Sequence, residues 1–198
     1  MNTPLTPTPP IYALASSYRG EDQYLPHMPA EEIIADFFPE SFSEVVFKLS
    51  NATSSFYGLM LKAAGEKFGY ECMEELSKAT TYALGQKTAK QMLILKPSIE
   101  RNAKGIAKIS IASIFRSSPE YIFQFLKYEE HLVEIRFTGI DRYHRICREL
   151  GIEQYISPPI DAYIQGINDA LHLPYQICME IESISENSIC SYKLSFKL

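Results

Sequence analysis

The sequence predicts an α+β domain: an N-terminal helical subassembly, then a hairpin, two helices and a second hairpin, with the strands forming an antiparallel sheet covered by helices on one face. Three observations carry this. Apolar residues recur at helical spacing from about residue 56 to residue 115. They then alternate through "YIFQF" and "VEIRF". After two further segments of helical spacing, a second pair of alternating segments closes the chain around "SENS".

Taken in order, residues 1–10 hold four prolines, which disfavour helix and interior strand, so a flexible Pro-rich tail is expected before a single domain over 11–198. "PAEEIIADFF" reads as a short helix, with Pro29 near its start and Pro39 just past its end. "SFSEVVFKLS" adds a helical turn or two leading into the body. There Phe56, Leu59, Met60 and Ala63 form a stripe, and Gly69 terminates the helix. A second helix carries Met73, Leu76, Thr80, Ala83 and Leu84 on one stripe and runs to about Leu93. Beyond Pro97, "GIAKISIASIF" turns Ile106, Ile109, Ala112 and either Ile114 or Phe115 inward.

The period then changes. Tyr121, Phe123 and Phe125 alternate, as do Val133, Ile135 and Phe137, predicting two strands joined by the polar turn "KYEEH". "GIDRYHRICRELG" follows as a helix, and Ile160, Tyr163, Ile164, Ile167 and Leu171 mark another that ends before Pro174. In the last hairpin a turn at Glu186 and Asn187 sets Glu180 opposite Lys193, Met179 opposite Leu194 and Ile181 opposite Tyr192. That register puts Cys178 and Cys190 on opposite faces, where they cannot form a disulfide.

Composition narrows the function classes. Hydrophobic residues make up 46% of the 198 and charged residues 22%, the profile of a globular protein. The net charge is −5 and no Lys/Arg run stands out, so a nucleic-acid partner is not expected. No apolar stretch approaches the roughly 18 residues of a membrane span. The N-terminus lacks the charged start and continuous apolar core of a signal peptide, so a cytoplasmic protein is expected. Cys72, Cys147, Cys178 and Cys190 show no metal-ligand spacing and read as free thiols; no HExxH, GxGxxG, GxxxxGK or GxSxG occurs. No metal is therefore expected, and no cofactor is indicated.

"GIDRYHRICRELG" gathers residue types capable of chemistry. Its stripe of Tyr143, Ile146, Cys147 and Leu150 assigns Cys147 to the core, whereas a nucleophilic thiol needs exposure and a base. Asp141 stands where it can cap the helix start. The arginines point mostly to solvent, and His144 lies at the edge of the stripe. Glu71, Glu74 and Glu75 suit the start of the second helix, where its dipole favours negative charge. The 13 Tyr and 11 Phe, with no Trp, fit either a core or the wall of an apolar pocket. Phe123 would line such a pocket, with Tyr57, Tyr82, Arg136, Tyr163 and Asn168 as polar contributors. Arg136, on the strand face opposite Val133 and Phe137, suits either a ligand carboxylate or a surface ion pair.

The segments "KAAGEKFGYECMEELSKATTYALGQKTAKQM", "CRELGI", "IDAYIQGINDAL" and "SICSYKLSF" resemble the superfamily of small α+β ligand-binding domains that includes the 4-vinyl reductase and TRAPP-like proteins. Within it they are most similar to the L-2-amino-thiazoline-4-carboxylic acid hydrolase family. The resemblance spans roughly residues 56–198. It implies a helix-walled pocket against the sheet, a hydrophobic or small organic ligand, and a homodimer. Members of the hydrolase-like group often carry a Cys-Pro before the "LG" helix and a Cys ahead of the following Asp. Here those regions read "DRYHRI" and "SPPID", so Asp161 remains and the cysteines do not. The Tyr-x-Ser-x-Arg signature of the haem-sensing branch is also missing, so haem is not expected. Three readings follow: a ligand-binding or sensor domain; a hydrolase using Asp161 and His144 on a small heterocycle or amide; and an interaction module docking through an exposed helix or the tail. Whether the chain is an enzyme stays open at this level.

Overall fold

Helical spacing gives way to alternation at Ser118, and there the chain passes from its first helices into its first hairpin. The computed structural model describes residues 10–20, 22–27, 34 and 38–198. Along the chain lie α1 (Pro10–Ser17), α2 (Phe42–Phe68), α3 (Met73–Leu95), α4 (Ala103–Ser117), β1 (Tyr121–Tyr128), β2 (Leu132–Ile140), α5 (Arg142–Glu149), α6 (Ile160–Ala170), β3 (Gln176–Ile184) and β4 (Ile189–Lys197). Two compact units divide it, 1–49 and 50–198. In the first, Tyr12 of α1 is buried edge-on against Phe38, ring centroids 5.3 Å apart. Residues 1–9 of the expected tail, and most of "PAEEIIADFF", lie outside the described residues.

"SFSEVVFKLS" is the start of α2 and not a separate turn, because neither Pro nor Gly interrupts the chain between Ser41 and Tyr57. α2 ends where expected, with Gly69 at a φ of 101° that favours glycine.

The stripes expected on α2 and α3 are corrected. Phe56, Leu59 and Met60 are 67%, 54% and 57% exposed, and Ala63 is exposed too. Ser50, Ser54, Gly58, Leu61 and Gly65 face inward instead. On α3 only Met73 of the stripe is buried; Leu76, Thr80, Ala83 and Leu84 turn outward, while Ser77, Gly85, Thr88 and Ala89 are covered. The physical reason is close approach. A Cβ at Gly85 would stand 1.9 Å from the Tyr163 carbonyl oxygen, and one at Gly166 2.1 Å from that of Tyr82, so α3 and α6 meet backbone to backbone. Faces built for such contact need small residues, and an apolar-stripe reading overlooks them. On α4, Ile106 and Ile109 are buried and Ile114 packs on the core, whereas Ala112 and Phe115 are exposed.

The four strands form one antiparallel sheet in the order β1-β2-β4-β3, with the helices on one side. β2 and β4 are central, and their alternation is clean: Val133, Ile135 and Phe137 together with Tyr192, Leu194 and Phe196 are buried. The last hairpin has the expected register, with Met179, Glu180 and Ile181 opposite Leu194, Lys193 and Tyr192, and a bulge between Ile181 and Ser183. Gly139 enters the end of β2 at φ 138°; a Cβ there would lie 2.1 Å from the Glu120 carbonyl oxygen. The main core joins this sheet face to Ile106 and Ile109 of α4 and to Ile164, Ile167 and Leu171. A smaller cluster holds Leu61, Met73, Cys147 and Ile152. Each fully buried aliphatic or aromatic side chain contributes about 1.5–3 kcal/mol.

Candidate ligand site

The site begins with a cap. Asn102 accepts hydrogen bonds from the Lys104 and Gly105 amides at 3.0 and 3.2 Å and so fixes where α4 starts. From that start Lys104, Lys108, Ile111, Ala112 and Phe115 follow at spacings of three and four, along one side of the helix. Opposite them runs β1, an edge strand. Its register shifts between Phe125 and Lys127, leaving Leu126 out of the ladder. The extra residue restores Tyr128 to the side of Phe125: their partners, Val133 and Ile135, both point into the core.

Between helix and strand lies a groove of about 460 Å³, lined by Lys108, Ile111, Ala112, Phe115, Arg116, Phe125 and Tyr128. It opens to solvent: Phe115 is 75% exposed and Phe125 and Tyr128 are each 41% exposed. Phe125 packs edge-on against both Phe123 and Tyr128, centroids 6.1 and 5.2 Å apart. The Lys104 ammonium lies 5.4 Å from the Tyr128 ring centre, and Lys108 pairs with Glu100. A second cavity, of about 290 Å³, is lined by Thr88, Gln91, Met92, Ile94 and Leu95 of α3 and again by Arg116. Apolar walls with few polar groups are the composition of small-molecule sites.

The other concentration of polar side chains surrounds the start of α5. Asp141 is buried and caps the helix as expected, accepting from the Tyr143 and His144 amides at 2.9 and 3.0 Å and from the Tyr192 hydroxyl at 2.8 Å. The placing of this helix's arginines in solvent is corrected for Arg142, which is 4% exposed. Its guanidinium donates to the Ser117 carbonyl at 2.6 Å, to the Ser118 hydroxyl at 2.9 Å and to the Tyr143 hydroxyl at 3.0 Å, and pairs with Glu120 at 3.4 Å. Helical periodicity alone misses this pair because its members are distant in sequence. Burial pushes the Cys147 and Cys190 thiols up to about 12, far from thiolate chemistry at neutral pH. The buried Tyr121 hydroxyl, likewise pushed up by burial, has no hydrogen-bond partner among the described residues. The bonds of this cluster tie α5 to the end of α4, to the residue that precedes β1 and to β4.

The six residues expected to contact a ligand do not form one constellation. Phe123 touches groove-lining Phe125, and Tyr163 donates to Ser113 of α4 at 2.8 Å. Tyr82 and Asn168 share Asp169, at 2.7 and 3.3 Å. Tyr57 bonds Ser77 at 2.5 Å and packs against Tyr143. Arg136 forms a bidentate pair with Glu182, at 2.8 and 2.7 Å, on the outer sheet face. Of the two candidates for catalysis, His144 bonds Ser188 at 2.8 Å, while Asp161 accepts from the Ala162 amide at 2.8 Å; no hydrogen bond joins them. Among the described residues no group of three or more His, Cys, Asp or Glu side chains could hold a metal ion, and no helix is long and apolar enough to cross a membrane.

Fold and groove together define a small α+β domain with one helix-covered antiparallel sheet and an apolar cleft at the sheet edge. The crystal structure of the phenol-responsive sensory domain of the transcription activator PoxR with phenol is similar to it, with a TM-score of 0.52 and 12% sequence identity over 73% of this chain and 74% of that one. At that identity the likeness is one of fold. No protein family and no curated protein matches the sequence.

Proposed function

We propose that this chain is a small-molecule binding or sensor domain of the 4-vinyl reductase/TRAPP-like type, acting in the cytoplasm, with its ligand in the groove between α4 and β1. The observation that carries the reading is the groove itself: a cleft of ligand size walled by Ile111, Ala112, Phe115, Phe125 and Tyr128. Its fold neighbour is a sensory domain crystallised with phenol, which supports the same class of role. Binding of a neutral apolar fluorophore such as Nile red tests it. The wild-type protein should bind and enhance its emission, and Ala112→Trp, which fills the groove from an exposed position, should remove most of that signal. A wild type that does not bind, or a variant that binds as well, sinks the assignment.

The outward side chains Phe56, Leu59 and Met60 of α2 and Leu76 and Leu84 of α3 support a second part of the reading, a homodimer that covers them. Native mass spectrometry of the same preparation should show twice the chain mass.

A further inference from the structure

We propose that the α4–β1 groove selects an apolar molecule bearing an acidic group, whose anion is held by Arg116. This deepens the ligand-site reading above and rests on it. Charge complementarity is the argument. The groove lining holds two charged side chains, Lys108 and Arg116, both cationic, and no carboxylate. Lys108 is already engaged by Glu100, and Lys104 lies against the Tyr128 ring. Arg116 differs: among the described residues it has neither an ion-pair nor a hydrogen-bond partner. It sits in the last turn of α4 and is the one residue that lines both of the cavities described above. A planar guanidinium with a free fork of donors matches a carboxylate bidentately. The surrounding Ile111, Ala112, Phe115 and Phe125 then accept an aromatic or aliphatic body. A neutral molecule of the same shape would gain the apolar contact and leave the cation without a partner.

The test compares 2-naphthoate with its neutral isostere 2-naphthamide, using ligand fluorescence at pH 7 on the full chain. Naphthoate should bind about tenfold or more tightly than the amide, the scale of one hydrogen bond to a charged group. Arg116→Gln should abolish that preference, bringing the ratio of acid to amide affinity to about one. Because Arg116 is exposed, the variant should fold as the wild type does, which circular dichroism checks. Equal binding of acid and amide, or an acid preference that survives Arg116→Gln, overturns the inference and leaves the groove assignment standing. If neither compound binds the wild type, or if Ala112→Trp binds both undiminished, the groove assignment fails and the inference with it.

Discussion

At the scale of single residues, the start of α5 separates what local sequence reveals from what it hides. Asp141 was readable as a cap because the amides it serves lie two and three positions on. Arg142, its neighbour, was not, because its partners Glu120 and Ser50 lie 22 and 92 positions away. Helical periodicity assigns a charged residue to water unless the fold brings it a partner. Here the partner is a carboxylate whose side chain is 4% exposed, so neither ion can be hydrated once the other is removed. Replacing Arg142 by Met should therefore destabilise the protein by about 3–5 kcal/mol, by stranding Glu120. Adding Glu120→Gln to that variant should recover part of the loss. Urea unfolding of the two variants beside the wild type measures both quantities. An Arg142→Met protein as stable as the wild type would show that Glu120 is not held as a buried anion.

At the scale of elements, the strands were more legible than the helices. Strand alternation has one buried face and a fixed period of two, so the last hairpin's register followed from its residues through Met179, Glu180 and Ile181. Helices α2 and α3 misled because, Leu61 and Met73 apart, their buried residues are Ser, Gly, Thr and Ala, while most of the larger apolar side chains expected inside face out. Gly85 and Gly166 carry the tightest of these contacts, and they give the helix pair a testable signature. Alanine is the better helix former by about 1 kcal/mol, so propensity alone favours Gly85→Ala. A Cβ standing 1.9 Å from a backbone carbonyl oxygen is a clash that no side-chain rotation relieves, so α3 and α6 must separate. Gly85→Ala should lower stability by about 1–3 kcal/mol despite its propensity gain, as overpacking does. Thermal unfolding decides the sign; a stabilised variant would mean the two helices do not meet at these glycines.

At the scale of the whole molecule, the groove was only half legible. The aromatic face of the first hairpin fitted core or pocket wall equally, and what decided between them is not local. β1 lies at the sheet edge, and the bulge at Leu126 turns Phe125 and Tyr128 to the same side. The face away from the helices shows the opposite chemistry. It carries Glu134 between Lys127 and Lys193, at 3.8 and 3.4 Å, and the Arg136–Glu182 pair at 2.7 Å.

The carboxylates of the second unit give it a defined response to acid. Hydrogen bonds from Arg136 and Ser191 hold the Glu182 carboxyl down at about 2, against an ordinary value of 4.5. Glu100 is lowered by its bond to Lys108. Burial works against Glu74, yet bonds from Lys78 and from the Ser157 amide bring it below its ordinary value as well. In each case the folded state holds its proton less tightly than the unfolded chain does. The stability these groups contribute is therefore present above the unfolded value and is lost as pH falls through the folded one. For Glu182 that window runs from 4.5 down to about 2. Arg136→Gln removes the principal cause of the shift, so it should be less stable than the wild type at pH 7, and the gap should close progressively between pH 4.5 and pH 2. Because the pair is on the surface, added salt should narrow the gap at pH 7 as well. Denaturant melts of both proteins across that range, at low and high ionic strength, measure it. A gap that persists unchanged at pH 2 would assign Arg136 a packing role and not a charge-pairing one.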